Sequence, residues 1–247
     1  MSGPDVSADI SADVPADVPT DVPAGEPPAP EPAPSPSVLH QRIRVSDEVE
    51  LESRWDLQEE PTHLAVFCHP HPLQRGTMTA PLMNNVTRHL VSAGFAVLRF
   101  NFRGVGTSTG THGLGVDEMD DIAAAVDVAI ARYPDLPFGI CGWSFGAATA
   151  LRWQARHGSG APYAGIAPPV QSDRSPALPP PAELEPAPRR FIIGDRDQFC
   201  TVEQIETYAD SIGATVEVLN GSDHFFYFRE ERVATAVADH LTAPLSH

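Results

Sequence analysis

The chain has 247 residues, of which 42% are hydrophobic, and a formal net charge of −17 at pH 7. These values fit one globular domain plus an additional segment, and nothing in so acidic a chain resembles the basic stripe that nucleic-acid binding requires. None of the 16 basic residues is lysine, which excludes Schiff-base and pyridoxal-phosphate chemistry, Walker-type nucleotide sites and Ser–Lys dyads.

The first 37 residues form a segment of distinct composition. An Ala-Asp-Val-Pro quasi-repeat is followed by a run rich in proline, alanine and glutamate, with seven acidic residues and no basic ones. Few large apolar groups, frequent proline and one sign of charge cannot offset the entropy lost on ordering. We therefore predict a disordered acidic tail over residues 1–37 and a folded domain over residues 38–247.

Three features bear on the compartment in which the protein works. The tail has neither the basic start nor the apolar core of a signal peptide, and no run of 18 apolar residues is present to span a membrane. The three cysteines, Cys68, Cys141 and Cys200, are too few for a disulfide framework. We expect a cytoplasmic, reduced protein with no membrane or nucleic-acid partner.

Apolar patterns define the elements of the domain in chain order. Alternation over residues 41–45 and 49–53 predicts an antiparallel hairpin. Mostly apolar runs predict strands at 64–68, 95–100, 138–141, 163–167, 191–194 and 216–219, of which the first two are expected to be buried. Helical spacing predicts helices at 83–93, 116–133, 145–157, 202–212 and 229–242. Because strands and helices alternate, we expect a mostly parallel sheet with helices on both faces and ligands beyond the carboxyl ends of its strands.

The most informative segment is Gly142-Trp143-Ser144-Phe145-Gly146, at the junction of a predicted strand and a predicted helix. This Gly-x-Ser-x-Gly pattern is typical of a nucleophile elbow, in which a tight turn exposes one serine at the edge of a sheet. The turn strains the serine backbone and requires glycine where a Cβ would collide. Since the chain has no lysine, the most plausible base for Ser144 is a histidine.

An acid and a histidine follow in the order that such a serine requires. Asp197 comes just after the strand predicted at 191–194, and His224 just after the strand predicted at 216–219. A histidine can take the serine proton and return it to the leaving group, while a buried carboxylate fixes the imidazole tautomer. Asp195 is the alternative acid. We favour Asp197, because the tight turn at Gly194-Asp195 directs the earlier carboxylate elsewhere.

Six motifs together resemble a bacterial family of small α/β-hydrolases, described as predicted hydrolases related to serine aminopeptidases and dienelactone-hydrolase-like enzymes. The resemblance runs from about residue 40 to the C-terminus, and it implies an α/β-hydrolase fold with minimal or no lid and a Ser-Asp-His triad. The Pro-rich segment 168–189 departs from the compact pattern and is the candidate for a lid. The motifs lie at residues 68–73, 76–78, 98–106, 142–146, 194–197 and 223–226.

The same resemblance assigns the segment His69-Pro70-His71-Pro72 to the oxyanion hole. Most α/β-hydrolases have His-Gly here, and a backbone N–H just beyond helps to hold the oxyanion. Proline has no N–H to donate, so the backbone N–H of His71 is the expected donor, together with that of Phe145. The competing hypothesis is a metal site formed by Cys68, His69 and His71. It is disfavoured because strand alternation separates the cysteine from the histidines and no further ligands are evident.

Two other patterns have alternative interpretations. The glycines of residues 101–110 are spaced one residue off a dinucleotide fingerprint, and we favour a mobile loop at the rim of the site over a cofactor loop. The aromatic residues near the motifs either line an apolar acyl pocket or belong to the core, and the sequence does not separate the two. These residues are Trp143, Phe199, Phe225 and Phe226.

The sequence thus predicts a serine hydrolase that forms an acyl-enzyme with a small-molecule ester, thioester or small amide. The residues are Ser144, Asp197 and His224, with His71 and Phe145 at the oxyanion, and no cofactor or metal is expected. The alternative is a catalytically silent hydrolase fold that serves as a binding or scaffolding module, with its acidic tail serving a partner. An intact triad that never reacts, with Ser144 covered by residues 168–189, would favour this alternative.

Overall fold

A single eight-stranded sheet organises the part of the chain that the structure describes. The computed structural model describes residues 37–173 and 176–243. The predicted tail lies outside these residues except for Ser37, which begins the first strand and so belongs to the folded domain.

The elements follow the predicted order, with bounds that differ by a few residues. The strands are β1 (Ser37–Arg44), β2 (Glu50–Leu57), β3 (His63–Cys68), β4 (Phe95–Phe100), β5 (Phe138–Trp143), β6 (Tyr163–Ile166), β7 (Arg189–Gly194) and β8 (Thr215–Leu219). The α-helices are α1 (Pro81–Ser92), α2 (Glu118–Arg132), α3 (Phe145–His157), α4 (Val202–Ser211) and α5 (Glu230–Leu241). Two single-turn 3₁₀ helices lie at Pro72–Gln74 and Pro181–Glu183.

The strand order is β1-β2-β4-β3-β5-β6-β7-β8. β1 pairs antiparallel with β2, and β2 pairs antiparallel with β4, whereas every other pair is parallel. The predicted hairpin is therefore an antiparallel edge on a parallel sheet, and the predicted sheet class is confirmed. In this order β5 lies between β3 and β6, so the loop after β5 has the loop after β3 on one side and the loops after β6, β7 and β8 on the other.

Two apolar layers cover the two faces of the sheet, as the alternating strand and helix pattern predicts. One layer packs residues of α2, α3 and α4, such as Ile122, Leu151 and Ile205, against the strands. The other packs residues of α1 and α5, such as Met83 and Val237, against the opposite face. The helices α1, α2, α4 and α5 each bury one apolar stripe, whereas most of α3 is buried. The strands β3 to β7 are buried on both faces.

One buried strand contains a charge that burial alone would disfavour. Arg99, in β4, is 1% exposed, and its guanidinium donates to Asp56 Oδ2 through Nε at 2.9 Å and Nη2 at 2.7 Å. Its Nη1 donates to the Met78 carbonyl and to Asn84 Oδ1. Because every donor group has an acceptor, the charge is accommodated and ties the start of α1 to the sheet.

Residues 101–110, in the loop between β4 and α2, were predicted to form a mobile loop at the rim of the site, and the structure places them elsewhere. Residues 101–110 do not line the cavity that contains Ser144. The loop is fixed to its surroundings instead: Ser108 Oγ donates to the Asn101 carbonyl, and Arg103 binds Asp121 through its backbone N–H, Nε and Nη2. The glycines of this loop give it its turns, since Gly104 and Gly106 both have positive φ angles that other residues rarely adopt.

Candidate active site

Ser144 occupies the strained turn that the Gly-x-Ser-x-Gly pattern predicts. Its φ and ψ angles are 55° and −119°, a conformation that costs a non-glycine residue free energy. Its backbone N–H donates to the Ile166 carbonyl at 2.7 Å. A Cβ on Gly142 would lie 2.5 Å from the backbone N of Ala147, and one on Gly146 would collide with the carbonyl oxygens at the end of β3. Glycine at both positions lets β5, α3 and β3 approach closely around the serine.

Asp197 and His224 are brought into direct contact by the loops after β7 and β8. Nδ1 of His224 lies 2.7 Å from Oδ2 of Asp197, and the two side chains are 5% and 0% exposed. The other carboxylate oxygen, Oδ1, accepts from the backbone N–H groups of Phe199 and Cys200 at 2.8 and 3.1 Å. A carboxylate satisfied in this way only accepts hydrogen bonds, so Nδ1 carries the proton and Nε2 is the acceptor.

The alternative acid, Asp195, lies in the same loop and has a different partner. Its Oδ1 accepts from the backbone N–H of Gly221 at 2.6 Å, and the residue is exposed. A Cβ on Gly194 would collide with the Ser222 carbonyl, so the two loops touch at this point. The structure therefore places Asp197, and not Asp195, against the imidazole of His224.

Hydrogen bonds to the backbone of His224, in addition to the contact of its imidazole with Asp197, fix the position of this residue. The His224 carbonyl accepts from Trp143 Nε1 at 3.2 Å, and its N–H donates to Gln198 Oε1 at 3.3 Å. The Phe199 ring lies edge-on to the imidazole, with 4.6 Å between the ring centroids. The loop after β7 and the end of β5 thus hold the loop of His224 and its ring, which is the arrangement that a precisely placed base needs.

Ser144 and His224 line one cavity of about 530 Å³. Across residues 37–173 and 176–243, no hydrogen bond joins the Ser144 hydroxyl to the His224 ring. Hydrogen bonds of this kind are often long or poorly aligned in unliganded sites and tighten when substrate binds. The structure thus brings the predicted serine and histidine to one cavity and the predicted acid into contact with that histidine.

Phe145 directly follows Ser144 in the chain, and His71, the other expected oxyanion donor, lies in the wall of the same cavity. Phe145 begins α3, so its N–H belongs to the first turn of a helix, where backbone N–H groups have no acceptor within the helix. His71 precedes the 3₁₀ turn Pro72–Gln74, and its Nδ1 accepts from the Leu73 N–H at 3.2 Å. Its ring centroid lies 5.0 Å from that of Phe145. Both residues line the cavity.

His69, one residue after β3, has a structural role that the sequence left open. It is fully buried, its Nδ1 lies 2.6 Å from the Pro70 carbonyl, and its Nε2 accepts from the Phe102 N–H at 2.9 Å. Burial lowers the pKa of His69 to about 4, so the ring is neutral at pH 7. It ties the turn that leads to His71 to the end of β4. His69 therefore belongs to the buried turn, whereas His71 lines the cavity. Within the described residues, no three metal-ligating side chains cluster.

The aromatic residues near the motifs divide between the cavity and the core. Trp143, Phe199 and Phe225 line the cavity, and Tyr227 joins them. Phe226, by contrast, is fully buried in the layer formed by α1 and α5, so of the two interpretations left open for this residue the core one applies. The physical reason is a positive φ angle of 56° at Phe226, which breaks the simple alternation of side chains along the loop.

The described part of the Pro-rich segment does not cover Ser144. Pro169 and residues 171–173 form part of the cavity wall, whereas residues 177–180 line a separate groove with Met119 and Arg152. Within the described residues the fold thus has no lid, as predicted.

Two buried acids near the site carry roles that the sequence analysis did not predict. Glu118 Oε1 and Oε2 accept from the backbone N–H groups of Gly113 and Gly115 at 2.8 and 2.7 Å, and Asp121 binds Arg103 as described above. Acids in the first turn of a helix usually face solvent and favour the helix dipole. The available signal was their spacing: Glu118 and Asp121 are three residues apart, on the same helix face as buried Ile122 and Ala125.

The mostly parallel sheet, the strained serine between β5 and α3 and the layers of helices define an α/β-hydrolase fold. Comparison with known proteins agrees. The chain is 32% identical over 205 residues to an uncharacterised protein of Rickettsia prowazekii, covering 78% of this chain and 85% of that protein. Residues 73–190 match a family model described as serine aminopeptidase, S33. The chain therefore belongs to this bacterial α/β-hydrolase family.

Solved structures show the same likeness. An α/β serine hydrolase homologue from Coxiella burnetii is 27% identical, with a TM-score of 0.72 over 83% of this chain and 97% of that one. A Xanthomonas campestris α/β serine hydrolase without a lid is 25% identical, with a TM-score of 0.71 over 88% of this chain and all of that one. Within the described part of the chain, no helix combines the length and apolar character needed to cross a bilayer.

Proposed function

We propose that this hydrolase is a serine hydrolase that forms an acyl-enzyme with a small-molecule ester, thioester or small amide. Ser144 is the nucleophile, His224 the general base and Asp197 the residue that orients it. The observation that carries the proposal is the buried contact of 2.7 Å between Asp197 and His224, in the wall of the cavity that also contains Ser144.

In the first half of the reaction, Ser144 Oγ attacks the substrate carbonyl carbon. His224 Nε2 takes the hydroxyl proton as the bond forms, and Asp197 stabilises the resulting imidazolium. The tetrahedral intermediate carries negative charge on the former carbonyl oxygen. The N–H groups of His71 and Phe145 are the proposed donors to this oxygen, and loss of one such donor typically costs about 2.7–4 kcal/mol of transition-state stabilisation.

The first half ends when His224 gives its proton to the departing alcohol, thiol or amine, which leaves the acyl-enzyme. In the second half, His224 accepts a proton from the attacking water and passes it to Ser144 Oγ as the bond between Oγ and the acyl group breaks and the acid is released. The cycle returns Ser144 and His224 to their starting states. Every proton transfer uses groups of the chain, so the proposed reaction involves no cofactor or metal.

The comparisons support this proposal without identifying a substrate. The Coxiella and Xanthomonas proteins are both described as α/β serine hydrolases or homologues of them, and the matching family model is named for a serine aminopeptidase. The cavity of about 530 Å³ falls in the range typical of small-molecule sites. Ser144 is half-buried in the wall of this cavity, which suits a reaction in which substrate reaches the serine without movement of a lid.

The proposal can be tested by assaying 4-nitrophenyl esters of increasing acyl length beside aminoacyl amides. We expect turnover of at least one substrate series by the wild-type protein and its loss, by about 10⁶-fold or to background, in Ser144→Ala. Ser211→Ala removes a hydroxyl from the exposed end of α4 and should keep the wild-type rate. Equal turnover by wild type and Ser144→Ala would contradict the assignment of the nucleophile.

The alternative, a silent hydrolase fold used as a binding module, makes the opposite prediction. In that case Ser144 would show no reaction with any ester, amide or serine-directed phosphonate. A cover over Ser144 from residues 168–189 would favour that alternative, and none of the described residues of this segment provides one.

A further inference from the structure

The cavity walls differ in chemistry on the two sides of Ser144. The strand order places the loop after β3 on one side of β5 and the loops after β6, β7 and β8 on the other. The β3 side contributes His71, Gln74 and Arg75 to the wall, whereas the β7 and β8 side contributes Phe199, Phe225 and Tyr227. A substrate bound at Ser144 therefore meets Arg75 on one side. On the other side it meets exposed aromatic rings together with the polar residues Gln171, Ser172, Asp173 and Gln198.

Arg75 is the cation on the β3 side, and no carboxylate of the described residues pairs with it. Seven other arginines of the described chain form ion pairs with carboxylates, whereas the exposed Arg75 forms neither an ion pair nor a side-chain hydrogen bond. Its backbone is fixed, with φ at 63° directly after the turn Pro72–Gln74. A Cβ on the next residue, Gly76, would collide with the Pro70 carbonyl, so the turn is closely packed.

Asp173 is an acidic residue in the cavity wall, on the other side of Ser144 from Arg75. It lies on the β6 side of the wall, opposite Arg75 in the strand order. An anionic group on a substrate is attracted towards Arg75 and repelled from Asp173. The two side chains therefore favour one orientation of a negatively charged substrate over the reverse orientation.

The aromatic side is where the leaving group must lie. His224 protonates the leaving atom, and its ring is flanked by Phe199 at 4.6 Å and Phe225 at 5.7 Å between centroids. Phe225 stacks in turn on Tyr227, with 5.9 Å between centroids. Phe199, Phe225 and Tyr227 are 48%, 41% and 63% exposed. Exposed aromatic rings grouped around a site provide apolar contact area for a ligand.

We propose that the substrate is a hemiester of a dicarboxylic acid with an aromatic or bulky apolar alcohol, an inference that rests on the proposed function. The alcohol lies against Phe199, Phe225 and Tyr227, and the free carboxylate of the acyl group binds Arg75. Ser144 Oγ bonds to the ester carbonyl carbon, the ester C–O bond breaks, and His224 gives the alcohol its proton. Water then releases the dicarboxylic acid, so one water is consumed for each alcohol and acid formed.

The carboxylate half of the proposal is tested with two matched substrates, 4-nitrophenyl hydrogen adipate and its neutral methyl ester. We expect wild-type kcat/KM to favour the hemiester by roughly tenfold, as befits a partly exposed charge-assisted bond. Arg75→Gln should abolish that preference mainly through KM and leave turnover of the methyl ester within about twofold. The preference should also weaken as salt is raised, because screening reduces attraction between exposed charges.

Arg232→Gln is the matched control, since it removes the same charge from an exposed position on α5 outside the cavity. The aromatic half is tested with benzyl and ethyl hydrogen adipate. Tyr227→Ala should reduce the preference for the benzyl ester, and an unchanged preference would overturn the aromatic half. Because Tyr227 stacks on Phe225, which contacts the His224 ring, turnover of the ethyl ester by the same variant reports any effect on the base.

The outcomes separate this inference from the proposed function. If the methyl ester is hydrolysed and Ser144 reacts with a phosphonate, but wild type and Arg75→Gln show the same ratio of the two substrates, the carboxylate assignment is overturned and the proposed function stands. If neither adipate is turned over and Ser144 does not react with the phosphonate, both fail. A hemiester preference that disappears equally in Arg232→Gln would show a general charge effect and would also overturn the assignment.

Discussion

The substitution Asp197→Asn tests how the carboxylate controls His224. In the structure Oδ1 accepts two backbone N–H groups while Oδ2 faces His224 Nδ1 at 2.7 Å. An asparagine keeps its oxygen on the two N–H donors and turns its NH₂ group towards Nδ1. Nδ1 must then accept, the ring proton moves to Nε2, and Nε2 can no longer take the proton of Ser144. We expect kcat to fall by about 10³–10⁴-fold, equivalent to about 4–5.5 kcal/mol.

The assay is hydrolysis of the best 4-nitrophenyl ester, combined with urea unfolding to show that the fold persists. Because the two N–H bonds to Oδ1 remain, the free energy of unfolding should change by no more than about 2 kcal/mol. Asp195→Asn is the matched control, since it alters the same loop and the same charge, and it should change kcat by less than about threefold. A fully active Asp197→Asn, or an equal loss in Asp195→Asn, would refute the role of Asp197.

Three further predictions concern the structure around the site. Gly146→Ala should lower the free energy of unfolding by about 1–3 kcal/mol and reduce activity, because its Cβ would collide with the carbonyls of Cys68 and His69. Gly160→Ala is the control: its Cβ would lie 3.5 Å from the nearest atom, the Pro186 carbonyl oxygen, so urea unfolding should show wild-type stability. Because burial lowers the pKa of His69 to about 4, the unfolded chain binds a proton below pH 6.5 that the folded chain does not. Acidification from pH 7 to pH 5 should therefore lower the free energy of unfolding by about 2 kcal/mol through this group. The His69 ring signals should not shift over this range in an NMR titration. Glu118→Gln should cost about 1–3 kcal/mol in urea unfolding, since one of two backbone N–H groups then faces an amide NH₂.

Different results would contradict each of these statements. Wild-type stability in Gly146→Ala would show that α3 and the end of β3 are not in tight contact. Titration of the His69 ring between pH 7 and pH 5.5 would show that this ring is not buried between Pro70 and Phe102. Unchanged stability in Glu118→Gln would show that the carboxylate is not the acceptor that holds the loop before α2.

The fold could be predicted from the sequence because its elements differ in apolar pattern. The continuous runs that form β3, β4 and β5 are buried on both faces, and a parallel sheet between helices is the arrangement that buries them. The hairpin β1–β2 alternates instead, which predicted its antiparallel pairing, whereas its place at the edge of the sheet comes from the structure. The exact ends were less predictable: β1 begins at Ser37, inside the predicted tail, because pairing with β2 extends the strand beyond the alternating residues.

The positions of the site residues followed from the strand ends, since each lies just after a strand whose place in the sheet was predictable. The remaining details depend on loop paths that local patterns do not determine. Phe226 packs into the core while Phe225 and Tyr227 line the cavity, because Phe226 has a positive φ angle. A positive φ angle is usually predicted from a glycine, and this position is not one. Arg75 reaches the cavity wall only through the 3₁₀ turn before it, and the spacing of Glu118 and Asp121 indicated burial only when the whole helix face was considered.

The most direct test of the account is the site of covalent reaction with a fluorophosphonate. The wild-type protein, treated with the probe and digested, should carry one phosphonyl group, and tandem mass spectrometry should locate it on Ser144. Ser144→Ala should remain unmodified under the same conditions. Modification of Ser172, the other serine in the cavity wall, or labelling that survives in Ser144→Ala, would contradict the assignment of Ser144 as the nucleophile.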